Sequence, residues 1–249
     1  MDLRSNRDSS AADTRPGQGA SAEVAPLLVE EHGADGQLLL RCWMREGVLH
    51  GPLEQFGSNG LTLMKTHFDA GKMHGAMVLF TAEGALIQES SFRHGVADGM
   101  MKTYVNGRCV SVQTMLDGVP SGASHSYDEA GLLSARLHFL RGQIEGPATF
   151  FHEGQRVRKS HYKAGLLDGE CVDFDLQGNV VQACCYRANV LHGPVRRFWP
   201  DGALMEEVIY RDGIPVGPPL RYDAKGQRTD NAQATPDLLE RLQRLVRGS

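Results

Sequence analysis

The sequence predicts an all-β protein: an elongated, twisted array of about eight tandem antiparallel β-hairpins of 23–24 residues each, followed by a short C-terminal helix. Three observations predict it. Glycine is abundant, 29 of 249 residues against a usual ~7%. The glycines fall into three series that keep step along the chain. Aromatic residues keep the same step.

The first series is Gly36, Gly60, Gly84, Gly107, Gly131, Gly154, Gly178, Gly202 and Gly226, spaced by 24 residues except for two intervals of 23. The second is Gly47, Gly71, Gly95, Gly118, Gly142, Gly165 and Gly213, with Asn189 in the one gap. The third is Gly51, Gly75, Gly99, Gly122, Gly146, Gly169, Gly193 and Gly217. All three series shorten at the same two places. Five residues after each third-series glycine stands Phe56, Phe80, Tyr104, Tyr127, Phe151, Phe174, Phe198 or Tyr222. Three residues before each second-series position stands Met44, Phe68, Phe92, Met115, Phe139, Tyr162, Tyr186 or Tyr210.

The second repeat, GLTLMKTHFDAGKMHGAMVLF, shows how this becomes a hairpin. Two runs of about six residues carry aromatic, aliphatic and Thr side chains suited to a pleated surface. Glycine-bearing segments separate them, where φ > 0 is reached without a Cβ clash. Asn189 fits as the one substitute because Asn tolerates the left-handed region. Three glycines per repeat argue against helix, at about 1 kcal/mol for each interior glycine. A lone hairpin is marginal in water, so the repeats must bury their aromatic face against one another.

The ends differ in composition. Residues 1–24 hold no aromatic and one Leu and read as a disordered tail, because they cannot bury enough apolar surface to offset ordering entropy. The array is expected over 25–228, with Leu27, Leu28 and Val29 as a capping strand. Residues 229–249 read as a linker and a capping helix: Thr235 is an N-cap, Pro236 takes the first helical position, and Leu238, Leu239, Leu242, Leu245 and Val246 form one apolar stripe.

Composition excludes several functions. A formal net charge of -4 disfavours a nucleic-acid binder. No apolar run approaches the ~20 residues that span a bilayer. Five cysteines, an odd count with no C-x-x-C, and a polar N-terminus point to a cytoplasmic protein with reduced thiols.

No nucleotide-binding glycine loop and no G-x-S-x-G occurs, and the array consumes residues 36–226, so no catalytic residues, cofactor or metal are expected. His50, His74 and His192 precede third-series glycines, a slot that elsewhere holds Asp98, Ser121, Glu145, Asp168 and Val216. This reads as a polar turn position, since like positions one repeat apart lie roughly 10 Å apart. The candidates for recognition are residues the repeat does not demand: Trp43, Arg93, His94, Arg196, Arg197 and Trp199. Trp and Arg are enriched at binding hot spots.

The spacing of Phe68, Gly71, Gly75 and Phe80 (F-x-x-G-x-x-x-G-x-x-x-x-F) resembles the MORN repeat in its bacterial variant form. The resemblance implies binding rather than catalysis. It further implies an antitoxin or immunity-type role, with a toxic enzyme as the protein partner. The alternative is a peripheral membrane or scaffold module, which the negative net charge disfavours.

Overall fold

The computed structural model describes residues 24–229. The expected disordered tail, up to residue 23, and the expected capping helix from Thr235 lie outside the described residues. Everything described is strand or turn, in one open antiparallel sheet. The strands are β1 (Leu27–His32), β2 (Leu38–Arg45), β3 (Val48–Phe56), β4 (Thr62–Asp69), β5 (Lys72–Met73), β6 (Gly75–Phe80) and β7 (Leu86–Arg93). Next come β8 (Val96–Ala97), β9 (Gly99–Val105), β10 (Arg108–Leu116), β11 (Val119–Tyr127), β12 (Leu133–Leu140), β13 (Gln143–Ile144) and β14 (Gly146–His152). Last are β15 (Gln155–Lys163), β16 (Leu166–Phe174), β17 (Val180–Arg187), β18 (Val190–Phe198), β19 (Leu204–Arg211), β20 (Ile214–Pro215) and β21 (Leu220–Arg221). The two-residue segments β5, β8, β13 and β20 are the first halves of interrupted strands. Each strand pairs with its neighbours in sequence, so the chain is a meander. The predicted capping strand is β1, in register with β2 from Leu27 facing Met44 to His32 facing Leu38.

The two edges of the sheet use different turns. At the second-glycine edge every turn has two residues, both with φ > 0: Glu46 and Gly47 (φ 51 and 79) in the first repeat, Ala188 and Asn189 (φ 47 and 67) in the seventh. This is the type I′ geometry that matches strand twist. The first position is non-glycine in all eight repeats. At the first-glycine edge most turns are longer, as at Gly57–Leu61, where Gly60 N–H donates to Gly57 O (2.9 Å) and Gly57 N–H to Leu61 O (2.8 Å). The exceptions are Asn106-Gly107 and Glu153-Gly154, two-residue turns with φ of 51 and 75, and 50 and 76. They end the two 23-residue intervals, so the missing residue is a change of turn type.

Ala70, Ala164 and Ala188 occupy the left-handed region at φ of 45, 49 and 47, which costs an L-residue about 1–2 kcal/mol. Replacing Ala70 and Ala164 by Asn is expected to stabilise the fold by about 0.5–1 kcal/mol each. Thermal melting checks this: the double variant melts above the parent, and a lower midpoint contradicts the turn assignment.

The third-series glycines lie within strands rather than at turns, which corrects the sequence expectation. Cys42 faces Leu53 and Met44 faces Leu49, so His50, Gly51 and Pro52 stand opposite the single Trp43. At this bulge Gly51 has φ 113, and a Cβ there would stand 3.2 Å from Trp43 Cβ. Gly122 repeats the geometry, with φ 106 and Thr114 Cβ at 3.2 Å. The eighth repeat departs from it. Gly217 lacks positive φ and lies in the 216–219 break between β20 and β21, where Pro218 and Pro219 offer no donor to an added strand.

The core is also not where the aromatic period suggested. Among the described residues the ten buried ones belong to one row across the middle of one face: Cys42, Leu53, Thr66, Met77, Ser90, Ser124, Ala148, Ser160, Cys171 and Cys184. They stand five residues before a second-series position or two after a third-series glycine. Register sets them side by side, as in Ala148 facing Ser160, Ser160 facing Cys171 and Cys171 facing Cys184. Mostly small side chains fill this spine, and Ser160 Oγ meets Cys171 Sγ at 3.2 Å. The repeat aromatics are half-buried. Among the described residues no second layer covers the sheet, so a large ring keeps one side in solvent while the narrow middle row is enclosed.

Candidate functional site

Stacking at the second-glycine edge is built from backbone. The amide of each second-series residue after the first donates to the preceding repeat: Gly71 to Leu49 O (2.8 Å), Gly95 to Met73 O (2.7 Å), Gly118 to Ala97 O (2.9 Å), and so on to Gly213 and Leu191 O (2.8 Å). Side chains add a latch. The residue before a third-series glycine accepts the N–H of the next turn's first residue, as in Ala70 to His50 Nδ1 (3.4 Å), Ala164 to Glu145 Oε2 (2.7 Å), Ala188 to Asp168 Oδ2 (3.2 Å) and Asp212 to His192 Nδ1 (3.4 Å). The slot read as a polar turn position is therefore polar because it joins repeats.

This stacking sets the next residue of each turn in a row. The position after the second glycine holds Val48, Val96, Val119, Leu166, Val190 and Ile214, with Lys72 and Gln143 in the other two repeats. The six aliphatic side chains are 40–70% exposed. Four of them lie against the bare glycine of the following turn: a Cβ on Gly118 would stand 3.2 Å from Val96 Cγ1, one on Gly213 3.3 Å from Val190 Cγ1, and those on Gly71 and Gly142 3.9 Å from the Cβ of Val48 and of Val119. The edge thus presents an aliphatic ridge with one projection in six of the eight repeats, interrupted by Lys72 and Gln143. Burying such side chains against a partner releases apolar surface from water.

The residues singled out from sequence do not converge on one site. Trp43 is half-buried in the first repeat, opposite the Gly51 bulge. Trp199 belongs to a first-edge turn of the seventh repeat, where its Nε1–H donates to Tyr222 O at 3.3 Å and ties two repeats together. Arg196 and Arg197 are consecutive in β18 and point to opposite faces. Arg196 pairs with Glu207 (2.5 Å) and Arg197 with Glu206 (3.3 Å), which Arg221 also meets at 2.9 Å. Arg93 and His94 share a turn. Arg93 pairs with Asp98, and the His94 ring centroid lies 5.2 Å from that of His74. The ridge was missed, although its period is visible in the sequence.

Further charges are arranged as cross-strand ladders. Glu30, Arg41, Glu54 and Lys65 alternate in sign across β1 to β4, with contacts of 2.8, 3.7 and 3.0 Å. Tyr104 Oη donates to Glu89 at 2.8 Å, which holds that carboxyl below its usual range and pushes the phenol up to about 12. Arg158 pairs with Asp173 beside a groove of about 470 Å³ lined also by Phe150, Ser160 and Tyr162. The Ser160 hydroxyl in this groove lies 3.2 Å from Cys171 Sγ. Among the described residues, no helix is long and apolar enough to cross a membrane. Among known families and curated proteins, none matches this chain.

Proposed function

We propose that this is a non-catalytic, protein-binding repeat protein whose partner seats on the aliphatic ridge. The observation that carries the reading is the recurrence of an exposed aliphatic side chain at one position in six of eight repeats. The turn does not require it, since Lys72 and Gln143 serve in the other two. A stacked backbone presents these side chains without prior ordering, which lowers the entropic cost of association. Within this class, the resemblance to the bacterial MORN-variant pattern favours an antitoxin or immunity-type role, in which the ridge occludes a toxic enzyme.

The test is affinity capture from native cells with the parent chain and with V96K/V119K. A stoichiometric partner retained by the parent and lost by the variant, with an unchanged far-UV spectrum, is the expected result. A partner held equally by both sinks the ridge. Co-sedimentation of the parent with anionic vesicles at physiological salt, without a protein partner, would replace the reading with a peripheral membrane module.

A further inference from the structure

One side-chain cluster stands apart from the ridge. Asp69, His74 and His94 each place one ligand atom within 4.8 Å of the other two. They come from unlike positions of adjacent repeats. Asp69 ends β4, His74 fills the one-residue gap between β5 and β6, and His94 opens the following turn with φ 50. The bond from Gly95 N–H to Met73 O, at 2.7 Å, brings that turn against His74. Like positions one repeat apart cannot share an ion, but these unlike ones can.

Two details distinguish His74 from the other histidines in its slot. His50 and His192 each use Nδ1 to accept the next turn's N–H. His74 Nδ1 is shielded from solvent and has no hydrogen-bond partner. A buried polar atom left this way calls for a ligand. Its ring also faces that of His94 at a 59° tilt. On its other side Asp69 Oδ1 lies 3.4 Å from His50 Nδ1, the atom that accepts Ala70 N–H.

The geometry points to a site for one divalent transition-metal ion of the zinc class, held by His74, His94 and Asp69, with a fourth position left to water. Two imidazoles and a carboxylate suit zinc rather than calcium or magnesium, which prefer oxygen alone. Bonds of about 2.0–2.1 Å put two ligands on one ion no more than about 4 Å apart. The cluster therefore closes by roughly 1 Å, and the exposed His94 is the side chain to move. The neighbouring cation Arg93 is neutralised by Asp98.

Calorimetric titration of the full chain with zinc, paired with cobalt absorption spectra, tests the site. Saturation at one equivalent is expected, with affinity at least tenfold weaker in H74Q and in H94Q and unchanged in H192Q. The cobalt complex should carry the d–d bands of a nitrogen and oxygen site. Since His94 is an exposed turn residue, H94Q keeps the fold and is decisive by itself. The site is overturned by no saturable binding at millimolar zinc, by parent-like affinity in H94Q, or by a thiolate charge-transfer band placing the metal on the free cysteines.

Discussion

Gly122→Ala is expected to split the unfolding of this protein into two transitions. Gly122 lies in β11, near the middle of the array, at φ 106. An alanine there meets strained backbone and a Cβ contact of 3.2 Å with Thr114. Together these cost about 2–3 kcal/mol. In a compact domain that loss would lower one midpoint. Here each repeat touches only its neighbours, so a fault in the centre decouples the hairpins on either side. Thermal and urea unfolding followed by circular dichroism should show a broadened or biphasic curve. Gly75→Ala is the comparison: φ is 89, but no atom lies within 4 Å of the added carbon, and the expected cost is about 1 kcal/mol. Equal effects at the two positions would refute the close-approach argument.

Ala148→Leu is the second large effect. Ala148 is 1% exposed, the most enclosed residue of the spine. Ser160 faces it across the sheet, and Phe150 stands beside it on the same face of β14. Three added carbons have nowhere to go without displacing the half-buried rings that flank the row. Overpacking of this kind costs about 1–3 kcal/mol. Ala76→Leu introduces the same group at an exposed position of β6 and should change stability by less than about 0.5 kcal/mol. Chemical denaturation of both variants decides it. A neutral Ala148→Leu would mean that the spine is not the core.

The turns and the strand order were legible in the sequence because glycine is the residue for which backbone conformation leaves a clear mark. The fully buried row was not. Cys42, Thr66, Ser90 and Ser160 are small or polar and carry no strong hydrophobic signal; their burial comes from their place in the middle row of the sheet. The aromatics drew attention as core because they are large, yet a single layer can only half cover them. The shortening to 23 residues was visible, but its cause, the Asn106-Gly107 and Glu153-Gly154 turns, depends on φ values at two neighbours at once. The candidate sites followed the same division. Trp43, Arg196 and Trp199 stood out by residue type, whereas Val96 and Val119 resemble ordinary strand residues until their 43% and 41% exposure is known. In sequence His74 belongs to the polar slot it shares with His50 and His192, and His94 stands out as a turn residue the repeat does not demand; no shared period links these two unlike positions.

The unequal stitching of the two edges governs where chain length can change. At the second-glycine edge, main-chain amides bridge consecutive repeats, so adding or deleting a residue would shift a hydrogen-bonded frame shared by two hairpins. At the first-glycine edge, repeats are tied largely through side chains such as Asn59 Nδ2 to Ala82 O (2.7 Å) and Trp199 Nε1 to Tyr222 O (3.3 Å). Two loop lengths already coexist there. Insertions, deletions and grafted peptides therefore belong on that margin, which can vary while the opposite one holds its pitch.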